Sequence, residues 1–179
     1  LEKGSSYEEL IAALCSTVSY RETVKLTLPE GWNSFQMAKA AEAAGLCTEA
    51  EYLEAANALD YDFDWMKDIS TDPDKLTVLE GFLYPETYSF FPDATARDIV
   101  TTQLREFQKK VLTEENRAAL ADSGFTLEQW VIFASIVQKE SAGVEEMYNV
   151  SSVFHNRMKN TSEYPMLQSC TTNNFIWDY

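Results

Sequence analysis

Histidine is nearly absent from this 179-residue chain: His155 stands alone, with Cys15, Cys47 and Cys170 as the only cysteines. Clustered zinc ligands cannot be assembled from one imidazole and three scattered thiols without a CxxC, so no metal centre is expected. The same scarcity makes any Ser-His-Asp triad depend on one ring. The cysteines read as free and mostly buried, with one disulfide as the alternative. Positive charge is scarce too: 14 basic side chains face 29 acidic ones, a formal net charge of −15. Such a field repels phosphate backbones and anionic lipid, which argues against nucleic acid as a partner and otherwise serves solubility. No stretch approaches the ~20 apolar residues of a membrane span, and no signal peptide precedes the first structured segment. Leu1 is not a natural start, so the expectation is a chain shortened at its N-terminus, any anchor removed with that part.

What is present suits a packed fold. Hydrophobic residues make up 45% and aromatics 13%, enough for one good core or a small module plus an incomplete second domain. Residues 1–21 read as a helical lead-in. Over residues 22–28, Val24, Leu26 and Leu28 alternate as a half-buried strand does, and Pro29-Glu30-Gly31 turns the chain. Ser34 is placed to cap a helix that buries Met37, Ala40, Ala41 and Ala44 and closes at Gly45. Thr48 and Glu51 form a capping box for a second helix to about Ala58. Residues 22–76 thus predict a strand-helix-helix module, its last part an acidic connection with one helical turn. Residues 79–93, rich in aromatics and broken by Pro85 and Pro92, fit neither a helix nor a strand throughout. Helices follow from Thr95 to about Leu112, burying Ile99, Leu104 and Phe107, and from a Thr113 cap to about Ala121.

Chemistry concentrates further on. Thr126 and Gln129 have capping-box spacing, and Gly143 offers a stop. Leu127, Trp130, Val131, Ala134 and Val137 make one apolar stripe, while Ile132, Phe133 and Ile136 cover much of the opposite side, the pattern of a buried helix. Glu140 ends it on the side of Phe133 and Ile136. Desolvation and the helix C-terminus would both raise its pKa, as a general acid near neutral pH requires. From helical geometry alone, the stronger reading is that Glu140 reaches water and pairs with Lys139 or Arg157. A last helix is expected over Val144–Lys159, with Met147, Ser151, Phe154 and Met158 inward. Phe82, Tyr84, Tyr88, Phe90 and Phe91 suit either pyranose stacking or core packing.

Four segments, in order, resemble signatures of the MltG/YceG-like family of endolytic murein transglycosylases. LEGFLYPETY (79–88) is similar to LEGFLFPDTY, ASIVQKE (134–140) to ASIVEKE, SVFHNRM (152–158) to SVFxNRL, and LQS (167–169) to the start of LQSDPT. Val24 to Gly31 also resembles the VTIPEG opening of the family's LysM-like module. The resemblance implies an α+β chain: a LysM-like module over 22–76, then a mainly helical, lysozyme-like catalytic region over 77–179 that is C-terminally incomplete. It implies cleavage of MurNAc–GlcNAc β-1,4 bonds without hydrolysis, leaving 1,6-anhydro-MurNAc ends. Glu140 would be the single acid/base, since Gln138 replaces the first glutamate of the family segment. KES also resembles the catalytic ES of soluble lytic transglycosylases. Glu80, Tyr84, Tyr88, Asn156, Gln168 and Ser169 would bind the glycan, with no cofactor or metal. Peptidoglycan strands, with cell-wall synthases beside them, would be the partners, at the outer face of the cytoplasmic membrane. One departure stands out: Cys170-Thr171-Thr172 occupy the place of Asp-Pro-Thr. Together with the early stop at Tyr179, it keeps a second reading open, a glycan-binding or scaffolding protein without turnover. A pyridoxal-phosphate lyase would need a Schiff-base lysine, for which Lys139 is available, and a phosphate loop, which is not evident.

Overall fold

In the computed structural model of the chain, residues 6–8, 11 and 22–171 are described. The lead-in expected over 1–21, Cys15 and the end of the tail therefore lie mostly outside the described residues. Two short strands, β1 (Val24–Thr27) and β2 (Thr87–Phe90), pair antiparallel with Leu26 opposite Tyr88 and Val24 opposite Phe90. Alternation turns those four side chains to one face, and Leu26, Tyr88 and Phe90 are buried there. β2 is a strand within the segment that had no clean periodicity. Its four residues are too few for a pattern, and their pairing depends on β1, 60 residues away.

Helices α1 (Ser34–Ala43) and α2 (Glu49–Asn57) pack on each other, and α3 (Ala96–Lys110) packs on α2. Asn33, not Ser34, caps α1: its side chain accepts from Gln36 N–H, and Gln36 Oε1 accepts from Asn33 N–H. Ser34 instead starts the helix, buried, with its hydroxyl donating toward Thr77 and Glu80. The expected α2 capping box of Thr48 and Glu51 is present, and Thr95 with Asp98 makes another on α3. The core spans both sides of residue 76. Around a 3-10 turn (Asp64–Asp68), Trp65 lies against Phe82 and Phe107, with ring centroids 5.7 and 5.2 Å away.

A tyrosine–glutamine pair is sealed in this core. Gln103, on the inner face of α3, accepts from Tyr52 Oη at 2.7 Å, and both residues are 0% exposed. Burial pushes the Tyr52 phenol well above its ordinary value, which keeps it a donor. Tyr52→Phe is expected to cost about 1–3 kcal/mol, because a buried acceptor loses its partner. Adding Gln103→Leu should recover most of that loss, as denaturant titration of the three variants would measure.

The capping boxes make stability depend on pH. Glu51 is held below its ordinary 4.5 first by the Thr48 N–H, and Asp98 below 3.8 first by the Thr95 hydroxyl. Depressed folded-state values mean that the unfolded chain binds more protons in acid. Their stabilisation is thus complete above those ordinary values and lost as pH falls through the lower, folded ones. Thermal midpoints followed from about pH 6 to about pH 3 should decline, and less steeply in Thr48→Ala/Thr95→Ala.

The remaining helices bury far fewer residues. Helix α4 (Glu114–Ser123) buries no residue fully. Helix α5 (Leu127–Glu140) packs against α6 (Val144–Lys159). The Thr126–Gln129 capping box and both helix spans agree with expectation, and Phe154 is the buried centre of the α6 stripe. Gly143 differs: α5 ends at a Ser141 C-cap, and Gly143 is the N-cap of α6. The expectation that α5 is buried all round is also corrected. Only Leu127 and Val137 are buried, and Ile132 is 52% exposed. The α6 helix covers one side and the core takes Leu127, Trp130 and Val131; the rest of the apolar surface faces outward.

Candidate active site

Helix α5 is docked at its start and carries the candidate carboxyl at its end. Near the start, Glu128 pairs with Lys75 and accepts from the Ser70 N–H at 3.2 Å. One turn on, Val131 sits over Gly81, whose φ is +85°. At the far end, a methyl placed on Gly31 would lie 3.8 Å from Lys139 Nζ, so the turn after β1 faces the last turn of α5.

Glu140 is half-exposed there. Ser169 Oγ donates to its Oε1 at 2.6 Å, and the Thr171 N–H donates to the same oxygen at 3.3 Å. Ser169 Oγ also lies 2.7 Å from Thr171 Oγ1. The 167–171 segment is held beside the helices by Arg157, which donates to the Leu167 carbonyl and stands over the Tyr164 ring at 5.9 Å. Gln168 takes a left-handed φ of +56°, which turns the chain so that Ser169 reaches Glu140. These contacts reverse the electrostatic expectation. The Ser169 hydroxyl, before any other cause, holds Glu140 below its ordinary 4.5, outweighing desolvation. In this arrangement the carboxylate is favoured over the acid.

The other candidates are distributed unevenly. Ser169 meets Glu140 directly, and Gln168 beside it is exposed. Asn156 is exposed on α6. Glu80 accepts from Ser34 N–H at 3.0 Å and Ser34 Oγ at 2.5 Å, at the start of α1. Tyr88 is 6% exposed, and its hydroxyl donates to the Tyr84 carbonyl at 2.7 Å. Phe82 and Phe90 are likewise core, whereas Phe91 is exposed and Tyr84 half-buried. His155 packs its ring 4.7 Å from Phe133, with Nδ1 at 2.9 Å from the Ser151 carbonyl oxygen. Cys47 and Cys170 are free, and Cys170 is exposed rather than buried because it lies on the segment crossing Glu140. A recess lined by Ser89, Phe90, Phe91, Asp93, Ala94 and Asp98 contains two of the aromatic candidates, Phe90 and Phe91, and none of the polar ones. Among the described residues, no group of three or more His, Cys, Asp or Glu is placed to hold a metal, and no helix is long and apolar enough to cross a membrane. Sequence reasoning missed Thr171; its only signal was the departure at 170–172.

Known proteins resemble the chain along its length. An endolytic murein transglycosylase of Bacillus subtilis (strain 168) is 28% identical over 82 residues, 45% of this chain and 22% of that protein. Another, from Streptococcus pneumoniae serotype 2 (strain D39), is 27% identical over 175 residues, 88% of this chain and 31% of that protein. A crystal structure of a putative YceG-like protein from Listeria monocytogenes matches with a TM-score of 0.64 at 25% identity, covering 78% of this chain and 48% of that one. The chain thus spans under a third of the curated relatives' length and about half of the solved one. The YceG-like family model matches residues 1–179, and the chain belongs to that family.

Proposed function

We propose that this chain carries the acid/base centre of an endolytic peptidoglycan transglycosylase, with Glu140 as its catalytic residue. The observation that supports this best is a half-exposed carboxyl at the end of a docked helix, with its Oε1 oriented by Ser169 and Thr171. Both of those hydrogen bonds fall on Oε1, so Oε2 is the oxygen we assign to the glycan. Protonated Glu140 gives its proton to the oxygen between MurNAc and GlcNAc, and the C1–O bond breaks. The resulting carboxylate takes the proton of the muramyl C6 hydroxyl as O6 bonds to C1. The proton balance closes, no water is consumed, and one carboxyl does the work that hydrolytic glycosidases divide between two.

The donor step needs the acid form, which the ligand-free geometry disfavours. The Ser169 hydroxyl has a second acceptor in Thr171 Oγ1, and turning to it removes the main stabilisation of the anion. Asn156 and Gln168 are exposed enough to hold glycan polar groups. Glu80 and Tyr88, occupied by Ser34 and Tyr84, contribute by holding the frame, with Tyr84 at its edge. Residues 22–76 would act as a LysM-like module and 77–179 as part of a lysozyme-like catalytic region. The setting would be extracytoplasmic and membrane-anchored, beside cell-wall synthases.

The favoured anion also supports a second reading, a glycan-binding protein without turnover. Muropeptide profiles separate the two. Anhydro-ended products from the chain and none from Glu140→Gln support catalysis; binding to glycan strands with no products supports the rival.

A further inference from the structure

We propose that Thr171 is a positioning residue for Glu140, acting through its N–H and through the hydroxyl of Ser169. This rests on the reading of Glu140 as the acid/base, and it concerns a position to which the resemblance assigns no role. Proline stands at that point of the family signature, and proline has neither an amide hydrogen nor a hydroxyl. In this chain Thr171 contributes both. Its N–H lies 3.3 Å from Glu140 Oε1, and its Oγ1 lies 2.7 Å from Ser169 Oγ, which itself lies 2.6 Å from the same carboxylate oxygen. Two hydroxyls and one carboxylate therefore form a chain with two proton arrangements. When Thr171 donates to Ser169 and Ser169 donates to Glu140, each bond polarises the next and the anion is favoured. When Ser169 donates to Thr171 instead, the carboxylate loses its shortest hydrogen bond and accepts a proton more readily.

Among the described residues, no charged group on the neighbouring elements forms an ion pair with Glu140. Lys139 on α5 places its ammonium against the Gly31 turn. Arg157 on α6 donates to the Leu167 carbonyl, and Glu146 in the first turn of α6 accepts from the Ala142 N–H. Glu145 stands beside Glu146 in that turn, and Glu30 lies in the turn after β1. The hydroxyl chain, rather than an ion pair, thus sets the balance at Glu140.

The test is a titration of the Glu140 carboxyl carbon by NMR in glutamate-labelled protein, with Glu140→Gln identifying the resonance. Ser169→Ala should raise the midpoint most. Thr171→Val, which keeps the shape and N–H, should raise it by about half a pH unit, and Thr171→Pro by more, since hydrogen bonds to a charged group are being removed. Thr171→Ser, retaining both donors, should titrate with the parent chain. Midpoints for Thr171→Val and Thr171→Pro that coincide with the parent overturn the proposal; should the proline variant not fold, the valine variant decides. The titration needs no turnover. A chain without anhydro products therefore refutes the catalytic reading while leaving the ordering of midpoints to stand or fall separately.

Discussion

Gly81→Ala is expected to lower stability by about 2–4 kcal/mol. Two costs add at this position. A φ of +85° is reached freely only by glycine, and a Cβ there would meet Val131 Cγ1 at 2.7 Å. Val131 belongs to α5, so the methyl can be admitted only by a change of the Val131 side chain or a shift of that helix. A double-mutant cycle divides the two costs. Val131→Ala removes the colliding methyl, so Gly81→Ala should cost less in that background, the remainder being the backbone strain. Equal losses in both backgrounds would mean that contact with α5 contributes nothing.

Glu140→Gln is expected to cut release of anhydro-ended muropeptides by about 10²–10⁴-fold with an unchanged thermal midpoint. Glutamine can still accept from Ser169 but can neither lose nor donate the proton that both half-reactions of the proposed mechanism require. Glu140→Asp preserves the chemistry and withdraws it by one methylene; it should retain some turnover, and less than the parent, if placement matters as much as acidity. Residual activity in the glutamine variant equal to the parent would move the chemistry elsewhere. Carried out across pH, the parent should lose activity as pH rises through the Glu140 pKa, because the first half-reaction needs the acid.

The helices were legible because their caps are local. Thr48, Thr95, Thr113 and Thr126 each announce a start three residues ahead of a matching N–H, and the structure uses all four. Asn33 was overlooked in favour of Ser34 because both are good capping residues one position apart, and only the distant Thr77 and Glu80 decide between them. The strand β2 was illegible for a similar reason: its partner lies far back in the chain. At the site, Glu140 and Ser169 could be named from the resemblance, but their contact could not, since 29 residues separate them. The charge state was misjudged because helix position and apolar neighbours are visible in a sequence, while a hydroxyl arriving from a loop is not. Gln103 carries no local signal of burial either, yet it is sealed against Tyr52.

Glu140 lies nine residues beyond the point where α5 rests on Gly81, a reach of about 14 Å along the axis. At that radius a tilt of about 5° at the fulcrum swings the carboxyl by about 1 Å, the scale on which proton transfer geometry fails. The absence of a side chain at residue 81 thus bears on aim as well as on folding: a flaw too small to unfold the protein would still be magnified at the far end of the lever.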